Sequence, residues 1–101
     1  MKKTLLAVAF LATTAPAALA GPIELACLRS DRAAANRSLC GCIQNVADRV
    51  LTGREQRLAA KFFKDPHLSQ EVRQSDRASD EAFWLRYKAF GATAEANCAT
   101  G

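Results

Sequence analysis

Three features of this chain predict an all-α fold, a small bundle of four to five helices stapled by two disulfides. Strand signals are nearly missing, with no alternating run of β-branched residues and no Asn-Gly or Asp-Gly hairpin turn. Apolar residues recur instead at helical spacing, between residues suited to cap helices. Four cysteines, Cys27, Cys40, Cys42 and Cys98, lie in a chain of only 101 residues. A chain this short buries only about 60% of the surface that its unfolded form exposes, so covalent staples matter to its stability.

The elements follow in order. Residues 1–20 read as a secretory signal: Lys2 and Lys3, an apolar run from Leu5 to Ala12, and Ala18-Leu19-Ala20 before Gly21. That run falls well short of the roughly 20 residues needed to span a bilayer. Position 21 is glycine rather than cysteine, which argues against lipid anchoring at the cleavage point. Residues 21–101 then form a single small helical domain. The expected location is periplasmic or secreted, where disulfides persist. Losing Lys2 and Lys3 lowers the formal net charge from +4 to +2, so basic character must come from local clustering.

Ile23 to Arg29 is a short candidate helix, followed by a polar connection near Ser30 to Arg37. Ser38 can cap a second helix, on which Leu39, Ile43, Val46 and Val50 form the apolar stripe. Thr52-Gly53-Arg54-Glu55 matches a capping box, which places a third helix from about Gly53 to Lys64. Asp65-Pro66 ends it and starts a short fourth helix, with the aspartate as cap and the proline in the first turn. Polar residues from Gln70 to Asp80 read as a connector. A last helix starts near Ser79 or Asp80 and carries Phe83, Tyr87, Phe90, Ala94 and Cys98 on one stripe. Aromatic residues concentrate in the third and last helices, which should therefore pack together.

Cys40-Gly41-Cys42 is the sharpest local motif. On a helix, residues two apart point about 160° from each other, so these two thiols cannot bond to one another without unwinding the turn. Each must reach elsewhere, to Cys27 or Cys98. Cys42 lies nearer the centre of its stripe and Cys98 lies on the stripe of the last helix, which favours Cys42 with Cys98 and Cys27 with Cys40. Such bridges are worth roughly 3 to 4 kcal/mol each in the chain-entropy model. The functional alternative is a thiol redox or metal-handling protein. A redox pair more often shows Cys-x-x-Cys at a helix start, and soft metals would want methionine or histidine, of which residues 21–101 hold only His67. The pattern implies no metal and no cofactor.

Arg54, Arg57, Lys61 and Lys64 fall at spacings of 3, 4 and 3 on the third helix, which gathers four cations within about 80° of one face. Leu51, Leu58 and Phe62 mark the inward side beside it. Such a strip is a candidate face for an unknown acidic protein or an anionic surface, although ordinary solvated helix faces also look like this. Nucleic acid is not expected, because no stacking platform or known binding module accompanies the charge. The last helix also carries Leu85, Ala89, Ala92 and Ala96 on a second face, a candidate helix contact that would be buried inside the monomer or would meet a partner chain, such as a second copy in a homodimer. No nucleophile, base and orienting group can be assembled from these residues, so catalysis is not expected.

The strings Leu39 to Gln44, Lys61 to His67 and Ala82 to Gly91 together resemble a family of short exported proteins of marine and photosynthetic alphaproteobacteria that carries the label "arginine transporter". The resemblance covers nearly all of residues 21–101 and brings no site residues with it. Its label implies an accessory component that binds or transports arginine. Against that expectation, a permease needs membrane-spanning helices, and a guanidinium site favours paired carboxylates where this chain organises cations.

Overall fold

The computed structural model describes residues 20–30 and 35–98, and among them all regular structure is helical. The signal segment lies outside the described residues except for Ala20, as does the middle of the Ser30 to Arg37 connection. The helices are α1 (Pro22–Arg29), α2 (Arg37–Val50), α3 (Gly53–Lys64), α4 (Pro66–Arg73) and α5 (Ala78–Cys98).

Helix α2 is central, with α1 packed along one flank and α5 along another, while α1 is also wedged against α3. The two disulfides fix this arrangement. Cys27–Cys40 ties α1 to α2 across a Cα–Cα distance of 5.5 Å, and Cys42–Cys98 ties α2 to the last residue of α5 across 5.9 Å. Divergence on one helix excludes a Cys40–Cys42 bond, and of the two pairings left this is the one favoured by the stripe positions of Cys42 and Cys98. Both distances lie in the usual range for a disulfide.

Several boundaries differ from the sequence expectations. Helix α2 starts at Arg37 rather than after Ser38, because Asn36 is the cap and its side chain accepts the Leu39 N–H at 2.8 Å. The stripe on α2 is also displaced. Of Leu39, Ile43, Val46 and Val50 only Val46 is fully buried, and Cys40, Gln44 and Ala47 share the interior with it. Neighbours on two flanks move the buried arc off the simple amphipathic centre. Asp65 sits at the cap position of α4, but its side chain makes no capping bond. Its backbone carbonyl instead accepts the Leu68 N–H at 3.0 Å. The polar connector is shorter than Gln70 to Asp80, since α4 continues to Arg73 and α5 begins at Ala78.

The capping box at α3 forms as expected: Thr52 Oγ1 accepts the Glu55 N–H at 3.1 Å and Glu55 Oε1 accepts the Thr52 N–H at 2.9 Å. With Leu51 closing α2 and Thr52 capping α3, the corner between these helices is two residues long. Helices α3 and α5 meet through long side chains. Phe62 stands edge-on to Phe83 and Tyr87, at centroid distances of 6.1 and 5.1 Å, and Tyr87 also touches Trp84 and Phe90. Edge-on and offset pairs of this kind each add about 0.5–1.5 kcal/mol beyond the area they bury.

A buried polar cluster locks the start of α1. The Gln44 side chain accepts the Glu24 N–H at 2.8 Å, which supplies the cap that Gly21 cannot. Its amide nitrogen donates to Gln56 Oε1 at 2.7 Å and Asp48 Oδ1 at 2.8 Å. Gln56 in turn donates to Asp48 Oδ1 at 3.2 Å and to the Leu51 carbonyl at 3.4 Å. Gly21 is required for this fit, because a Cβ there would lie 2.4 Å from the Gln44 carboxamide carbon.

Two outcomes are expected from equilibrium denaturation of the oxidised protein. Replacing Cys42 and Cys98 together by serine should cost about 2–5 kcal/mol, and more than the same change at Cys27 and Cys40, whose loop is shorter. Gly21→Ala should cost about 1–3 kcal/mol by expelling Gln44 from its hydrogen bonds, whereas Gly53→Ala, with room for a methyl group, should cost far less.

Candidate functional site

The twelve residues of α3 present two sides. Glu55, Gln56, Ala59 and Phe62 point inward, and Arg54, Arg57, Lys61 and Lys64 are all exposed on the outer side. The strip exists because a 3, 4, 3 spacing follows the helical turn while the capping box holds the first turn rigid. Among the described residues, no carboxylate lies within ion-pair distance of any of the four. Arg57 leans back along the helix, its Nη1 3.7 Å from where a Cβ on Gly53 would lie. Lys61 and Lys64 stand in the last turn, where cations also suit the helix dipole.

Among the described arginines and lysines, the one within ion-pair distance of a carboxylate is Arg86 of α5. Its Nε and Nη2 both donate to Glu55 Oε2, while Glu55 Oε1 is held by the Thr52 N–H. The Glu55 side chain is 11% exposed against 50% for Arg86. The Arg86 hydrogen bond, opposed by burial and aided by the Thr52 N–H, holds the Glu55 carboxyl below its ordinary value of 4.5. Arg86 is raised by the same hydrogen bond. The pair thus fastens the inner side of α3 to α5 and leaves the outer cations uncompensated.

Beside the strip lies a groove of about 620 Å³ between α1 and α3. Pro22, Leu25, Ala26, Ala60 and Phe63 give it apolar walls, and Arg29, Lys61 and Lys64 bring cations to it. Sequence reasoning found Lys61 and Lys64 but missed the groove and Arg29. The available signal was the composition of α1, which is apolar on nearly every side and therefore had to be covered by more than one neighbour.

The other candidate residues lie apart. Leu85, Ala89, Ala92 and Ala96 are all exposed along α5, Leu85 at 65%, so this face is not buried within the monomer. All four cysteines are bonded and no free thiol remains. Among the described residues, no helix is long and apolar enough to cross a membrane, and no three His, Cys, Asp or Glu side chains converge as a metal site would require. No family model, curated protein or solved structure matches this chain.

The Glu55–Arg86 pair gives the fold an acid-sensitive component. Because the folded carboxyl is depressed, its contribution is complete above the unfolded value near 4.5 and is lost as pH falls through the lower folded value. Denaturation midpoints measured from pH 7 down to pH 2 should therefore fall for the parent protein. They should fall less steeply in Arg86→Ala, which starts from a lower stability at pH 7.

Proposed function

We propose that this protein is an exported, non-enzymatic helical binding module that meets an anionic partner through the outer face of α3, acting in the periplasm or after secretion. The observation that carries this reading is the grouping of Arg54, Arg57, Lys61 and Lys64: four exposed cations on one face, with no carboxylate within ion-pair distance among the described residues. Elsewhere in the same molecule, Arg86 is neutralised by Glu55. The two disulfides fit an oxidising compartment. They also engage every thiol that a redox or metal-handling role would use.

Arginine binding, the role suggested by the resemblance, finds less support in this geometry. Among the described residues, the groove beside the strip carries three cations and no carboxylate, and a guanidinium seeks the opposite.

Charge reversal at Arg57 and Lys61 should weaken retention on an anionic matrix by about tenfold at 50 mM salt, with the difference shrinking toward 0.5 M as charges are screened. Circular dichroism should show no loss of helix, since both side chains are exposed. Equal retention of parent and variant at low salt would remove the basic face as the binding surface.

A further inference from the structure

The groove between α1 and α3 has a direction. Gln44 bonds the first turn of α1 through the Glu24 N–H and the first turn of α3 through Gln56, so both helices start from the same polar cluster. Their last turns also come together, since Arg29 and Ser30 line the groove along with Lys61 and Lys64. The two helices therefore run side by side in the same sense. This brings Arg29, Lys61 and Lys64 to the groove beside the apolar side chains of Leu25, Ala26, Ala60 and Phe63.

We infer that this groove binds a free single-chain anionic amphiphile, a medium-chain fatty carboxylate, with its tail along the α1–α3 seam and its head among Arg29, Lys61 and Lys64. The proposal deepens the reading of the basic face and rests on it for two of the three charges. Size agrees: about 620 Å³ lies within the roughly 300–1,000 Å³ typical of small-molecule sites. Charge agrees as well, since among the described residues no carboxylate lines the groove and none pairs with the three cations.

Shape separates this ligand from other anionic partners. A helical peptide would need anchors over at least two turns of groove, but α1 has eight residues, about 12 Å of helix, and its last turn is already cationic. A bilayer surface would need apolar side chains that project into it. The only large apolar side chains exposed among the described residues are Leu28 and Leu85, on different helices. The apolar walls here are mostly half-buried, so the chain must enter the protein rather than the protein enter a membrane.

The test is calorimetric titration of the oxidised protein, purified as the cell processes it, with dodecanoate below its micelle concentration. Dodecyltrimethylammonium serves as the cationic control. Dodecanoate should bind one to one, at least about tenfold more tightly than the cationic amphiphile. Ala26→Trp, which fills the groove, should abolish binding while circular dichroism and the melting midpoint show the fold retained. Lys61→Glu with Lys64→Glu should invert the preference, so that the cationic amphiphile binds better. Inversion is a result that mere loss of structure cannot produce. Equal binding of both amphiphiles to the parent, or undiminished dodecanoate binding by a folded Ala26→Trp protein, would overturn the inference. If Ala26→Trp has no effect on any ligand while Arg57→Glu with Lys61→Glu still weakens retention on an anionic matrix, the groove assignment falls and the basic face stands. If dodecanoate binds as expected but Arg57→Glu with Lys61→Glu leaves matrix retention unchanged, the broader face reading falls and the groove stands alone.

Discussion

Cys40 and Cys42 sit two residues apart on α2 and bond in different directions, one to α1 and the other to the end of α5. Because a helix turns its residues apart at this spacing, a single short motif can hold two neighbours on separate flanks. The rest of the fold depends on this constraint. Helix α1, with eight residues, is too short to persist alone in water, and α5 would otherwise be free at its C-terminal end. With both attached to α2, the apolar side chains of Ile23, Val46, Ala47, Phe83 and Phe90 can close one core despite the small number of residues.

The covalent links fix which helices meet, and polar contacts fix how they meet. The Gln44–Gln56–Asp48 cluster sets the level of α1 against α2 and α3, because one carboxamide caps α1 and bonds α3 together. Buried amides are costly unless fully bonded, so a small slide of α1 would leave several polar atoms unsatisfied. On the far side of α3, Glu55 completes the capping box with one oxygen and takes Arg86 with the other. Apolar contact alone would allow such helices to slip past one another.

This bracing gives the outer face of α3 its character. With Glu55 committed inward, the four cations outside have no internal partner among the described residues, and their positions are held by a helix fixed at both turns. The adjoining groove follows from the same packing. Small side chains at Ala26 and Ala60 leave space where α1 and α3 run alongside each other, and the last turns of both helices bring basic residues to its lining. A charged face and an apolar recess are thereby joined through Lys61 and Lys64.

Much of this was legible in the sequence. Helix content, the bounds of α3, its capping box and the divergence of Cys40 and Cys42 all arise from short-range spacing, which a helix converts directly into direction, and the concentration of aromatic residues on α3 and α5 pointed to their contact through Phe62. The same rule placed Arg54, Arg57, Lys61 and Lys64 on one face. What the sequence could not fix were features that depend on a distant neighbour. The cap of α2 is a local exception, where two candidates stood close together and Asn36 rather than Ser38 takes the Leu39 N–H. The buried arc of α2 shifts toward Cys40, Gln44 and Ala47 because two helices flank it. Gln44 caps α1 from twenty residues away, and the groove exists only because α1 comes to rest beside α3. Local periodicity therefore determined the elements and the charged face, while tertiary packing decided the recess, since the shape of a space between two helices is written in neither helix alone.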